Sequence, residues 1–80
     1  GAGGWLERVA PGTAARVAEL RVPPESRRRL MELGLVSDTP VELVRFALLG
    51  DPVEIKVRGY NLSVPRHEAE QIWVSVPSGA

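Results

Sequence analysis

Alternating apolar and polar residues along the chain predict a mainly β protein. The strictest alternation covers 53–58 (VEIKVR), where every second residue is a β-branched aliphatic, and a period of two is typical of a half-buried strand. Weaker alternation between turn residues predicts four more strands, at 13–20, 41–46, 61–64 and 72–76. We therefore expect five short strands.

One segment departs from this alternation, and we expect it to be a short helix. Pro24 suits the first helical position, because its fixed φ is already helical and it lacks an N–H that would have no partner there. Gly34 is expected to end the helix in a left-handed conformation, and Leu35 to pack back onto the last turn. The apolar stripe of this helix is predicted to consist of Leu30, Met31 and Leu33.

A two-residue turn at 59–60 is predicted to join the third and fourth strands. Gly59 would occupy the first central position of a type II′ turn, which favours glycine. In the register that this turn sets, Val57 faces Leu62. Further along the strands Ile55 faces Val64, so both strands turn their apolar side chains to the same face.

These elements predict a single small domain built mainly from strands. One helix lies between the first and second strands, and one helical turn at 66–71 lies between the fourth and fifth. Five strands favour a closed or partly closed barrel, because closure removes exposed strand edges. We expect the domain to cover 5–76, residues 1–4 to be an extraneous extension left by cloning, and 77–80 to be a loose tail.

Charge and composition narrow the choice of partners and cell compartment. The chain has ten Lys and Arg and ten Asp and Glu, and no cysteine. Nucleic-acid binding usually needs a basic excess, so we expect no nucleic-acid partner. Without cysteine there is neither a disulfide nor a thiolate metal site. No apolar run approaches the roughly 20 residues of a membrane span, and nothing resembles a signal peptide, so a cytoplasmic protein without direct membrane insertion is expected.

The sequence offers no group of residues suited to catalysis. His67 is the only histidine, and no nucleophile accompanies it in a recognisable arrangement. His67, Glu68 and Glu70 could be considered as metal ligands, but neighbouring helical residues do not converge on one ion. No GxxxxGK(S/T) phosphate loop is present. We therefore predict no catalytic residue, no metal site and no cofactor.

Docking to another macromolecule is the better hypothesis for the exposed apolar residues. Leu48 and Leu49 are adjacent in a predicted loop, where large apolar side chains need an explanation if they are exposed. Trp73 lies on the strand face opposite its apolar neighbours, and aromatic side chains are favoured as interface anchors. The alternative for Trp73 is coverage by Trp5 and Leu6.

Several segments together resemble the FeoA family over almost the whole chain. In this order and spacing, they are RRRLMELGLV (27–36), VELV (41–44), LLGDPVEIKVRGYNLSV (48–64) and HEAEQIWV (67–74). One departure is at 37–38, where family members often carry Pro-Gly and this chain carries Ser-Asp. The resemblance implies a small SH3-like barrel, of a kind also found fused to other proteins of ferrous iron uptake.

The resemblance also implies a role and a partner. The role is that of a cytosolic accessory, monomeric or weakly self-associating, to the ferrous iron transporter FeoB, which carries a GTPase domain. Whether such an accessory stimulates hydrolysis, assembles the transporter or gates it is left open. An arginine supplied by a partner can assist GTP hydrolysis, so Arg28, Arg29 and Arg58 are candidates; the alternative is that they are ordinary solvated side chains.

A second function is compatible with the same fold. An SH3-like barrel also forms the C-terminal domain of DtxR-like metal-dependent repressors, so the fold by itself does not determine the function. That alternative predicts a helix-turn-helix domain before the barrel, and the 80 residues contain none.

Overall fold

A computed structural model describes residues 2–76, with the backbone only at Ala2, so the tail expected at 77–80 lies outside the described residues. The described chain contains six strands, two α-helices and two 3-10 turns. In chain order they are β1 (Ala2–Trp5), a first 3-10 turn (Leu6–Arg8), β2 (Ala14–Leu20), α1 (Pro24–Glu32), β3 (Pro40–Phe46), a second 3-10 turn (Leu48–Gly50), β4 (Val53–Val57), β5 (Tyr60–Val64), α2 (Arg66–Ala69) and β6 (Ile72–Val76).

The strands form one antiparallel sheet in the order β1-β6-β2-β3-β4-β5. Irregularities between Val17 and Glu19 in β2, and between Leu43 and Arg45 in β3, are of the kind that bends a sheet. Within residues 2–76 the edge strands β1 and β5 do not pair with each other. The barrel is therefore partly open, and the expected mainly β fold with one inserted helix is confirmed.

Strand β1 adds a sixth strand to the five that the sequence predicts. The segment expected to be an extraneous extension supplies most of it, and Trp5 pairs with Trp73 of β6. Glycine is unfavourable in strands, so the residues AGGW gave no β signal. A side chain at Gly3 would lie 2.5 Å from the indole nitrogen of Trp73, which shows how closely that indole packs on the backbone of β1.

The predicted register of the β4–β5 hairpin is wrong by two residues. Ile55 pairs with Leu62 rather than with Val64. The turn is formed by Arg58 and Gly59, whose φ angles of 46° and 92° are both positive, as a type I′ turn requires. Both registers place the same side chains on the core face, because side chains alternate with a period of two. Alternation by itself therefore could not distinguish them.

The buried apolar side chains form one cluster inside the curved sheet, and α1 contributes little to it. The cluster consists of Leu6, Val9, Ala15, Val17, Val22, Leu30, Leu35, Val41, Leu43, Val53, Ile55, Val57, Val64, Ala69, Ile72 and Val74. Leu30 is the buried residue of α1, whereas Met31 and Leu33 are 46% and 37% exposed. The predicted three-residue stripe, and with it the core position of Met31, is therefore wrong.

Gly34 follows the end of α1 and caps the helix, as predicted. Gly34 has a φ of 107°, and its N–H donates to the carbonyl of Met31 at 3.0 Å. The N–H of Leu35 donates to the carbonyl of Leu30 at 3.0 Å. These two bonds make a Schellman motif, which returns the chain sharply after the helix. Leu35 is fully buried as a result, so the cap supplies a second core residue in place of the expected stripe.

Two polar contacts hold α1 against the segment that contains β5 and α2. The hydroxyl of Tyr60, at the start of β5, donates to the carbonyl of Leu33 at the end of α1. Arg29 of α1 donates through Nη2 to both carboxylate oxygens of Glu68 in α2, at 2.5 and 2.6 Å. The helix is therefore held near its end and near its middle.

Replacing Gly34 with alanine tests this arrangement. An added Cβ would lie 2.5 Å from the Tyr60 hydroxyl, on a residue whose φ is already unfavourable for alanine. We expect Gly34→Ala to lower the free energy of unfolding by about 2–4 kcal/mol, the sum of the left-handed strain and a displaced hydrogen bond. Gly12→Ala is the control, because its φ is 88° and nothing lies within 4 Å of the added Cβ. Urea denaturation should show a loss of about 1–2 kcal/mol there; equal losses for the two variants would contradict the close packing at Gly34.

Candidate functional site

Two adjacent leucines project from the loop between β3 and β4. Leu48 and Leu49 are 88% and 89% exposed, more than any other large apolar side chain in the described part of the chain. We call this pair the leucine tip. From the sequence, exposure of these two leucines was a possibility, and the structure shows that they are exposed. Large contiguous apolar groups exposed to water are costly and commonly mark interaction sites.

The loop that carries the leucine tip is held in place by three hydrogen bonds. The N–H of Ala47 donates to the carbonyl of Pro52 at 3.0 Å, and the N–H of Gly50 donates to the carbonyl of Ala47 at 2.7 Å. Asp51 accepts from the N–H of Arg66, the first residue of α2, at 3.0 Å. The two leucines therefore extend from a loop whose backbone is anchored to the rest of the domain.

Leu49 also has an unusual backbone conformation. Its φ of 67° and ψ of 14° lie in the left-handed region, which costs a non-glycine residue about 1–2 kcal/mol. Strained residues of this kind occur preferentially at functional sites. Asparagine or glycine would adopt this conformation more easily than leucine does.

A second apolar surface lies between α1 and β2, and we call it the α1–β2 groove. Its walls include Val17 of β2, Arg27 and Met31 of α1, and Leu35 and Val36 of the segment after the helix. Met31 and Val36 are 46% and 38% exposed, and both also line the adjoining depression that Arg28 borders. The sequence reasoning missed this groove because it assigned Met31 to the core.

The two tryptophans pack against each other on the outside of β1 and β6. The ring centroids of Trp5 and Trp73 are 4.7 Å apart, with an interplanar angle of 86°. The guanidinium of Arg21 lies 5.6 Å from the ring centroid of Trp5, within the range of a cation–π contact. Trp73 is half-buried, so Trp5 covers part of the side chain that the sequence suggested as a docking residue.

The candidate arginines lie at separate places in the fold. Arg28 is exposed on α1, and Arg58 is exposed in the β4–β5 turn. Neither forms an ion pair within residues 2–76, whereas Arg29 is engaged by Glu68. Arg58 and the leucine tip lie at opposite ends of β4, whose five residues span about 17 Å. The structure therefore does not gather these residues into one site.

The three residues considered as metal ligands do not converge. Glu68 is buried and points to Arg29, while Glu70 is exposed and lies 3.4 Å from Arg66. His67 is exposed and contributes its backbone carbonyl to a bond from Gln71. Over residues 2–76, no group of three or more His, Cys, Asp and Glu side chains has a geometry suited to a metal ion. In the same residues, no helix is long and apolar enough to span a membrane.

The sheet order, the inserted helix and the exposed loop define a small SH3-like domain. A search of protein-family models matches residues 6–76 to the FeoA domain. The chain belongs to the FeoA family, which functions in ferrous iron transport.

Known proteins support this assignment at the level of sequence and fold. A fusion of Fe(2+) transport protein A with the Fe(2+) transporter FeoB, from Porphyromonas gingivalis, is 36% identical over 73 residues, which are 91% of this chain and 9% of that protein. The solution structure of the FeoA protein of Chlorobium tepidum is 40% identical, with a TM-score of 0.89 over 96% of this chain and 73% of the other. The solution structure of iron(II) transport protein A of Clostridium thermocellum is 36% identical, with a TM-score of 0.87 over 95% of this chain and 47% of the other.

Metal-dependent repressors share the fold at lower identity. The crystal structure of IdeR from T. acidophilum is 21% identical, with a TM-score of 0.83 over 95% of this chain and 35% of that protein. A manganese-dependent transcriptional repressor with bound manganese is 17% identical, with a TM-score of 0.85 over 94% of this chain and 37% of the other. At this identity the likeness concerns the fold alone.

The buried carboxylate of Glu68 allows a test of how α1 is held. Arg29→Ala would leave that carboxylate buried without its cation, and we expect the free energy of unfolding to fall by about 2 kcal/mol, less than for a fully buried pair because Arg29 is half-exposed. Arg28→Ala is the matched control and should change it by less than about 0.5 kcal/mol. Adding Glu68→Gln to Arg29→Ala should recover part of the loss. Equal effects of the two arginine substitutions in chemical denaturation would exclude the ion pair as a support of α1.

Proposed function

We propose that this chain is a non-enzymatic cytosolic interaction module that regulates a FeoB ferrous iron transporter. It docks on the cytosolic GTPase region of the transporter, or on the cytosolic face beside it. The observation that carries this proposal is the fusion protein from Porphyromonas gingivalis, in which a segment 36% identical to this chain belongs to the same polypeptide as FeoB. This chain spans about a tenth of that protein.

A fusion of this kind has a physical consequence for the contact. Joining two modules raises the effective concentration of one near the other, to the millimolar range for a short linker. A weak contact is then sufficient to keep the two together. A small module with two exposed leucines suits such a contact, because each leucine removed from water contributes about 1.5–3 kcal/mol to binding.

In this proposal the leucine tip is the main anchor. Leu48 and Leu49 enter an apolar pocket of the partner. Because the loop that carries them is already held by hydrogen bonds, less conformational entropy is lost on binding. Arg28, Arg58 and Trp73 contribute at the periphery or to a separate contact. The partner supplies the nucleotide pocket, since residues 2–76 contain no phosphate-binding loop.

The alternative of a repressor domain has weaker support. Its structural relatives are 16–21% identical to this chain, whereas the two FeoA solution structures are 40% and 36% identical. No feature of the described surface favours that alternative over the transporter.

The leucine tip is tested by binding and by GTP turnover. The chain is titrated by calorimetry against the cytosolic GTPase region of FeoB from the same genome, and the variant combines Leu48→Ser with Leu49→Asn. We expect the variant to bind at least tenfold more weakly and to change GTP turnover less than the original chain. Its stability should be unchanged or higher, because asparagine adopts the left-handed conformation more readily than leucine.

The matched control is Leu33→Ser, which removes a partly exposed leucine at the end of α1, away from the leucine tip. This control should bind within about threefold of the original chain. Absence of binding by the original chain, together with unchanged GTP turnover, would contradict the proposed function. Equal weakening by the two variants would show that the leucine tip is not the anchor.

A further inference from the structure

We propose that the α1–β2 groove binds a short amphipathic segment of the transporter's cytosolic region that carries acidic and large aliphatic side chains. This inference rests on the proposed function and adds a second contact, distinct from the leucine tip. It assigns roles to Arg27 and Met31.

The floor and walls of the groove are suited to aliphatic side chains. Val17 and Leu35 are almost fully buried at its base. Met31 and Val36 stand partly exposed above them, although the inward face of α1 is already filled by Leu30. Methionine has a flexible and polarizable side chain that adapts to different partners. A groove beside a helix with these properties is a common receptor for the apolar face of an amphipathic helix.

The charges at the groove determine which segment fits. Most arginines of residues 2–76 have an acidic partner within 4.0 Å, and these are Arg8, Arg16, Arg21, Arg29, Arg45 and Arg66. Arg27 and Arg28 have no such partner in the described part of the chain. Arg27 lines the groove itself, and Arg28 lines the adjoining depression that shares Arg27, Met31 and Val36 with it.

The acidic residues at the groove do not cancel these two charges. Glu19 also lines the groove, but its carboxylate is engaged by Arg21 at 3.0 Å. Glu32 borders the same depression as Arg27 and Arg28 and offsets one of their two charges, so one positive charge remains. Since the chain as a whole is neutral, this local excess favours an acidic segment and disfavours a basic one.

The groove and the leucine tip are separate in the fold. The groove is formed by β2, α1 and the segment that follows α1, whereas the leucine tip lies between β3 and β4. They share no lining residue. Two separate contacts on one partner would reinforce each other, because the second forms at the effective concentration set by the first.

The test uses charge reversal at the groove and a charge-matched control elsewhere. Arg27→Glu is compared with Lys56→Glu, which lies on the exposed side of β4 and also lacks an ion pair in the described residues. Both variants change the net charge equally. Binding to the cytosolic GTPase region of FeoB is measured by calorimetry at low and at physiological salt, together with a ¹⁵N–¹H correlation spectrum of the labelled chain.

We expect Arg27→Glu to weaken binding at least tenfold at low salt, and Lys56→Glu to change it less than twofold. Met31→Ala should weaken binding at both salt concentrations, because its contact is apolar. In the spectrum, the amides of Val17, Met31 and Val36 should shift on binding.

Each other outcome is decisive. Binding by the original chain with equal effects of the two charge reversals, and no shift at the groove, overturns this inference and leaves the proposed function standing. Absence of binding by the original chain overturns the proposed function and the inference with it. Thermal unfolding of each variant checks that the fold is intact. We expect little change in the unfolding temperature, because the side chains of Arg27, Met31 and Lys56 are all exposed.

Discussion

The sharp return of the chain at Gly34 is the constraint on which the rest of the structure depends. Only a residue without a side chain fits there, because the Tyr60 hydroxyl occupies the space where a Cβ would lie. The return buries Leu35 and lets Tyr60 bind the carbonyl of Leu33. It therefore sets the position of α1 relative to the edge strand β5, and the Arg29–Glu68 pair maintains that position. The α1–β2 groove exists because the helix is held in this place.

The apolar side chains of the domain fall into two groups, those that fill the core and those that are exposed on the surface. The core is filled by aliphatic side chains from both α-helices and from every strand except β1. The one buried side-chain polar atom without a partner in residues 2–76 is the Thr39 hydroxyl. The apolar side chains with the greatest exposure, Leu48 and Leu49, are held outward by a strained, hydrogen-bonded loop. The exposed leucines and the strained backbone of Leu49 lower the stability of the domain without filling its core. Binding of these side chains to another molecule would account for this cost.

The sequence allowed much of the fold to be predicted, and the failures have identifiable physical causes. The alternation at 53–58 and the cap at Gly34 are strong local signals, and the five predicted strands and the helix end are all present in the structure. The hairpin register was not, because two registers that differ by two residues bury the same face. Strand β1 was missed since glycine-rich strands form through pairing rather than propensity. The exposure of Met31 was missed because Leu35, which the cap at Gly34 turns into the core, occupies the space that the predicted apolar stripe of α1 would have filled. The exposure of Leu48 and Leu49 could be anticipated because the two leucines are adjacent in a predicted loop. The α1–β2 groove could not be anticipated, because its walls come from segments that only tertiary packing brings together.

The central claim is that the two proposed docking surfaces, the leucine tip and the α1–β2 groove, already have their binding shape in the free protein. Backbone ¹⁵N relaxation of the free chain tests this most directly, because order parameters report how rigid each N–H is on the picosecond to nanosecond timescale. The account predicts values near 0.85 for 47–52 and for α1, as in the strands, since both segments are anchored by hydrogen bonds. Values below about 0.6 in either segment would mean that the surface is mobile in the free protein and would contradict the account.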